Sequence, residues 1–281
     1  MGRRTWCSGL LDRLREKGWE VEVYDHLSAP PRKLILEKVG SGVDALITTL
    51  RDRIDGEVLA AGAAAGLKVV AHSHRPDEIR RGLEIGVDNF EHTGLTTAPE
   101  YPADVIEMLK ERTATGRVAG GPLYWTPTVE GLYQYETMVD NPENLDGDCW
   151  HRGLEPDTIA DIAQSLEQPG QLEYMQLTPL RQPTLKLKVR QLKEAGVVLL
   201  VGTDSGIPTT FHCQSTWNEL AVWVNEMGID PMDAIRSATY WPSVMMGVAD
   251  KTGTVSAGKL ADIIAVRGDV LRYINLLQRV D

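Results

Sequence analysis

The stretch AAGLKVVAHSHRPDEIRRGLEIGVDNFEH, residues 64–92, repeats one rhythm twice. Residues 67–71 (LKVVA) form a short Val-containing run that reads as a buried strand and leads into His72, Ser73 and His74. Pro76 suits a helical N-terminus, Ile79 and Leu83 share a face one turn apart, and Gly86 stops the helix. Residues 87–91 then read as a second strand that ends at His92. Strand, helix and strand in this order predict a crossover unit on a parallel sheet, with an imidazole at the C-terminal end of each strand.

The same alternation extends in both directions. Upstream, 19–24 and 44–50 read as strands and 8–17, 31–39 and 55–65 as helices. Downstream, 122–129 (PLYWTPTV) and 197–202 (VVLLVG) read as strands. Residues 102–110, 183–195, 216–227 and 231–239 read as helices. Taking Val21, Ala45, Val69, Asn89, Leu123 and Val198 as strand centres gives six parallel strands. The expected fold class is α/β; an open doubly wound sheet needs no more strands than these, and a closed eight-stranded barrel would need two more. A last strand is expected at 261–266, after a turn at Ala257-Gly258. Residues 1–41 read as an N-terminal α/β segment, 42–250 as the main α/β portion and 251–281 as a C-terminal β segment. Within the main portion, 130–183 carries the turn signals Asp140-Asn141-Pro142, Asp146-Gly147-Asp148 and Pro169-Gly170, and reads as an irregular excursion, a lid over the core.

Composition narrows the partners. The 281 residues carry a net charge of −11, a field that repels phosphate backbones and anionic membranes, so neither nucleic acid nor membrane is expected as a partner. No run approaches the ~18 apolar residues of a membrane span, and the charged opening MGRRTWCSGLLDRLREKGWE lacks the apolar core of a signal peptide. Cys7, Cys149 and Cys213 lie far apart with no CxxC, which points to a reducing, cytoplasmic setting.

The polar groups gather at one kind of position. His72 and His74 follow one strand, His92 the next, and Asp204 follows VVLLVG. In a parallel fold all these ends open on one face, and two imidazoles with a carboxylate there suit Zn2+ or a similar divalent ion. Any one histidine at a strand end is most simply a polar terminator; recurrence on successive strands favours ligands. His72 and His74 point the same way on an extended backbone, His72 being nearer the rigid strand. Glu91 is expected to point away from His92 and to act from behind it. Gly202 and Gly206 in G-T-D-S-G allow a tight backbone around the Asp204 carboxylate. Ser205 adjoins Asp204, but no GxSxG elbow accompanies it, so a serine triad is not expected. His212 approaches substrate from outside the ligand set, and Tyr124, Trp125 and Tyr133 line the pocket or pack beneath it. His26 and His151 have weaker cases.

At these residues the chain resembles the metal-dependent amidohydrolases, nearest the imidazolonepropionase-like and Xaa-Pro or Xaa-Arg dipeptidase-like branch. The matching stretches are residues 64–92, AGVVLLVGTDSG at 195–206, and NELAVWVNEMGIDPMDAIRSATYWPSVMMGVADKTGTVSAGKLADIIAV at 218–266. The resemblance implies His72 and His92 as metal ligands after the fifth and sixth barrel strands. It implies Asp204 as the carboxylate after the eighth, binding metal and serving as general base to the attacking water. His74, Ser205, His212 and Tyr124 would touch a small amide or dipeptide substrate, with one or two zinc-like ions as cofactor. A homo-oligomer is compatible with that reading. The family's first-strand H-x-H pair has no counterpart before residue 72, and Ile47 stands where a bridging lysine would be placed. The resemblance thus implies a partial or distorted TIM-type (β/α)8 barrel of roughly six parallel strands over 42–250, with the strand at 261–266 as the remnant of a small β-sandwich. The front strands and half of that sandwich are expected to be absent, and a truncated or chimeric chain without activity is the alternative.

A second resemblance covers the front. LLDRLREKGWEVEVYDH at 10–26 and the residues up to 71 are similar to the opening of a D-2-hydroxyacid dehydrogenase of the glyoxylate reductase type. No G-x-G-x-x-G follows, so a nicotinamide site is not supported.

Overall fold

The computed structural model describes residues 8–26, 28–48, 52, 54–93, 96–115, 121–140, 148–152, 154–167, 172, 175–207 and 209–280. The chain divides into two compact units, Met1–Leu67 and Lys68–Asp281.

The first unit contains helices α1 (Ser8–Glu16), α2 (Arg32–Gly40) and α3 (Gly56–Ala64). Asp55 caps α3 by accepting from the backbone N–H groups of Glu57 and Val58, at 3.2 Å each. Arg32 on α2 reaches the same carboxylate at 2.7 Å and also bonds Glu57, which ties the two helices together. The strands expected at 19–24 and 44–50 do not form among the described residues; 49 and 50 lie outside them. Trp19 and Ile47 are 64% and 94% exposed, so their apolar runs have no sheet face to bury.

The second unit is built on four parallel strands among the described residues, in the order β1 (Val70–His72), β2 (Asn89–Glu91), β3 (Tyr124–Thr126), β4 (Val198–Leu199). The six strand centres read from sequence thus reduce, among the described residues, to four strands joined by three ladders, and the sheet is open rather than closed into a barrel. Between them run α4 (Pro76–Ile85), α5 (Ala103–Thr115) and α9 (Leu185–Glu194). The register sets His72, Glu91 and Thr126 in one row, and Ala71, Phe90, Trp125 and Leu199 in the row that faces the helices. Phe90 and Trp125 are fully buried there, with ring centroids 4.9 Å apart, and pack with Ile79, Val105, Leu109, Leu192 and Trp223. The opposite face is polar: Asn89 donates to Glu91 at 2.6 Å and to Thr126 at 3.1 Å.

The excursion holds α6 (Glu130–Asp140), a 3-10 turn at Asp148–His151, α7 (Pro156–Leu166) and α8 (Thr178–Arg181). Trp150, with Leu154, Ile159 and Ile162, packs on Phe211 in a small cluster of its own, the Trp150 and Phe211 rings stacked at 5.2 Å. Here a reading from sequence fails. Cys149 and Cys213 form a disulfide with a Cα–Cα distance of 5.9 Å, so the argument for a reducing interior from unpaired cysteines does not stand. The partners are 64 residues apart and meet only because the excursion folds back.

The chain continues through α10 (Ser215–Asn225), α11 (Pro231–Ala238) and α12 (Tyr240–Met245). The strand expected at 261–266 is not formed: Val266 makes a single antiparallel bridge to Val280, and Ile263 and Ile264 are exposed. No β-sandwich remnant is seen among the described residues. No helix of the described residues is long and apolar enough to cross a membrane.

Candidate metal centre

Three imidazoles meet where β1 and β2 end. His72, His74 and His92 each offer a ring nitrogen within 4.8 Å of the others. His72 Nδ1 lies 2.7 Å from His92 Nε2, and the His74 and His92 rings stack at 5.1 Å. His72 closes β1 on the polar face. His74, two residues on, reaches the same place, and its backbone N–H donates to Glu78 at 2.7 Å in the first turn of α4. His92 arrives differently. Glu91 already lies on the polar face, in row with His72, contrary to its expected opposite orientation. His92 follows with φ +69°, a turn out of the strand conformation that brings the next side chain round to the same side. Sequence alternation assumes an extended backbone and cannot register that reversal.

His92 is the best-held member. Its backbone N–H donates to the Thr126 carbonyl at 2.7 Å, and its own carbonyl accepts from Trp125 Nε1 at 2.5 Å. Its Nδ1 lies 2.6 Å from the Thr128 hydroxyl. The segment after it is clamped by α9, where buried Lys188 donates to the Thr96 carbonyl at 3.1 Å and Gln191 accepts from the Tyr101 N–H at 2.9 Å. Burial pushes the His92 pKa down to about 4, with His72, His74 and Arg181 adding to the fall against the opposing pull of Asp204. Burial likewise lowers His74. Both rings are therefore neutral near pH 7, the state a metal requires. His74 Nδ1 is buried without a hydrogen-bond partner, and three neutral imidazoles at one point form a donor set that fits a zinc-like ion. Glu91 is raised to about 7, first by burial and then by the Asp204 charge.

Asp204 is exposed, follows β4 with φ +52°, and stands outside the three-histidine group. Its charge is felt by His74, His92 and Glu91. Ser205 bonds the Thr203 hydroxyl at 2.7 Å and the Ser215 hydroxyl at 2.5 Å, an arrangement that pins the loop to the start of α10. His212 is exposed beside Gly206. Tyr124 is buried at the first position of β3, a strand's length below the histidines, where the charge of Asp88 and Tyr240 add to burial in raising it. Trp125 packs on the helix side, Tyr133 lies on α6, and His26 and His151 face the rings of Tyr24 and Trp150. Thr128, Lys188 and Arg181 were not legible as site residues. The one local signal was Pro127, which ends β3 and leaves Thr128 in a loop. A cavity of about 520 Å3 lined by Thr113, Pro122, Leu123 and Val198 lies at the other end of the strands, away from this chemistry.

Residues 56–279 match the model of the amidohydrolase family, most of the chain's length. The chain belongs to that family. An imidazolonepropionase of Rubrobacter xylanophilus is 32% identical over 85 residues, 30% of this chain and 20% of that protein. The structure of a Xaa-Pro dipeptidase with bound methionine aligns with a TM-score of 0.54 at 24% identity, over 83% of this chain and 48% of that one. The second resemblance is also present: a glyoxylate reductase of Thermococcus gammatolerans is 36% identical over 145 residues, 50% of this chain and 37% of that protein. The chain thus spans under half the length of each of these relatives. An amidohydrolase neighbour implies a TIM-type barrel, of which four adjacent parallel strands are seen here.

Proposed function

We propose that this amidohydrolase-family chain hydrolyses carbon–nitrogen bonds of small amides or dipeptides, with a divalent ion held by His72, His92 and His74 and with Asp204 as general base. The observation that carries this reading is the convergence of three imidazole nitrogens at the C-terminal ends of adjacent parallel strands. Zinc is the ion the donor set suits. When bound, such an ion polarises the scissile carbonyl and makes its bound water more acidic. The chain's own groups do the rest. The neutral His74 and His92 offer lone pairs, Asp204 takes the proton of the attacking water and passes it to the leaving nitrogen, and Glu91 stands behind the ligands. The Xaa-Pro dipeptidase likeness supports dipeptides as the first substrates to try. Ser205 and His212, in the loop after Asp204, are assigned to the substrate side, and self-association completes the proposal. The cytoplasmic setting expected from the cysteines requires that the Cys149–Cys213 bridge be absent in the cell.

The test is metal analysis of the purified chain after incubation with zinc, followed by assay on Xaa-Pro and N-acyl substrates. One equivalent of zinc, lost in His72→Asn and His92→Asn together with turnover, is the expected result. No zinc above background and no turnover would establish instead a family member without catalytic activity. That second reading draws on Asp204 standing outside the histidine group. Thiol labelling of freshly isolated protein tests the cytoplasmic setting, since a reducing interior would leave Cys149 and Cys213 as thiols.

A further inference from the structure

A chain of buried contacts runs from the core to His92. Glu219, on α10 and fully buried, accepts from three N–H groups: the backbone of Val129 at 3.1 Å, the backbone of Glu130 at 2.6 Å and Trp223 Nε1 at 2.8 Å. The two backbone donors open α6, so the carboxylate occupies the place of a helix N-cap although it comes from 90 residues away. Immediately before them stands Thr128, with φ +49°, a left-handed conformation that a β-branched residue adopts only when its surroundings impose it. Its hydroxyl meets His92 Nδ1 at 2.6 Å. The Glu219 anchor fixes the two peptides after Thr128, and the bond from Trp125 Nε1 to the His92 carbonyl fixes the other partner.

We infer that Thr128 and Glu219 are positioning residues of the histidine centre. Thr128 Oγ1 accepts the His92 Nδ1 proton, so the Nε2 lone pair faces His72 and His74, and Glu219 holds Thr128 in the conformation that does this. The inference deepens the metal-site reading and rests on it for its purpose, but its tautomer can be read without metal. A ligating imidazole whose second nitrogen is hydrogen-bonded is locked in ring orientation and tautomer, and loss of such a partner typically weakens metal binding about 10–100-fold.

The experiment uses the full chain with 15N-labelled histidine. Metal-free protein near pH 7 is expected to show His92 as the Nδ1–H tautomer, kept in Thr128→Ser, which retains the hydroxyl. In Thr128→Ala and Glu219→Gln the resonance is expected to move towards the Nε2–H form, because the acceptor is removed in one and released from its place in the other. Cobalt titration of the same proteins is expected to give wild-type affinity in Thr128→Ser and about 10–100-fold weaker binding in Thr128→Ala and Glu219→Gln. If Glu219→Gln does not fold, Trp223→Phe removes one donor from Glu219 while keeping an aromatic ring, and is expected to shift His92 in the same direction. A wild-type Nε2–H tautomer, or a Thr128→Ala variant that keeps the Nδ1–H form, overturns the inference. Wild-type protein that takes no cobalt while its tautomer responds as described overturns the hydrolase reading and leaves this one standing.

Discussion

Glu130 is the residue whose replacement tests the electrostatics of the core most sharply. It is 1% exposed, accepts from Asn218 Nδ2 at 3.2 Å and has the Thr210 hydroxyl beside it. Burial first, and then the charge of Glu219, push its pKa from 4.5 up to about 8, whereas Glu219 is raised to about 7 by burial against its three N–H donors. Those donors can only serve an acceptor, so near pH 7 the negative charge belongs on Glu219 and the proton on Glu130. The sign follows from proton binding. Between pH 4.5 and about 8 the folded chain keeps a proton that the unfolded chain releases, so the contribution is fully present below pH 4.5 and is lost as pH rises through about 8. At ~1.4 kcal/mol per pH unit the gap corresponds to a ceiling of about 5 kcal/mol, a large share of a domain's ~5–15 kcal/mol. Glu130→Gln keeps the shape and an acceptor for Asn218 but has no proton to lose. In urea unfolding followed by tryptophan fluorescence from pH 4 to pH 9, the variant is expected to match wild type near pH 4, to exceed it increasingly between pH 5 and about 8, and to keep a constant advantage above that. Parallel stability curves across that range, or a variant less stable at pH 9, would refute the assignment.

Three further predictions test other parts of the structure. Replacing Cys149 and Cys213 together by serine, or reducing the bridge with a dithiol, removes a 64-residue cross-link and is expected to lower stability by about 4 kcal/mol on the loop-entropy scale, read as a drop in Tm. An unchanged Tm under reduction would show that the bridge does not form in solution. Gly82→Ala on α4 sets a methyl against the Phe90 ring in a fully packed row, so it is expected to destabilise by about 1–3 kcal/mol despite alanine's higher helix propensity; a stabilised variant would contradict the register of β2. Asp204→Asn is expected to abolish hydrolysis while changing the unfolding free energy by no more than about 1 kcal/mol and cobalt affinity by no more than a few-fold, since Asp204 is exposed and outside the histidine group. A loss of cobalt binding as large as that in His92→Asn would make Asp204 a ligand instead.

The crossover rhythm around the histidines was legible because it depends on neighbours in sequence. The Pro76 start, the Gly86 stop and the spacing of Ile79 appear in α4 as Pro76–Ile85, and the strand ends at His72 and His92 appear where β1 and β2 close. The same grammar overreached at 19–24, 44–50 and 261–266. Apolar alternation shows only that a segment can lie in a sheet, and a ladder also needs a partner strand. No partner is formed there among the described residues, and Ile47, Ile263 and Ile264 remain exposed.

From the sequence alone came an α/β chain with parallel strands and the placing of His72, His74, His92 and Asp204 at strand ends, although that reading set Asp204 rather than His74 with His72 and His92. Those are consequences of local periodicity and of the residue types present. Tertiary structure decided how the histidines meet: the backbone reversal at His92 that overrides alternation, the Thr128 hydroxyl on its Nδ1, and the pairing of Cys149 with Cys213. It also decided that Glu219, 90 residues beyond Val129, caps the helix that follows Thr128. Each joins groups far apart along the chain, whose meeting depends on how the core packs and on no property of the residues beside them.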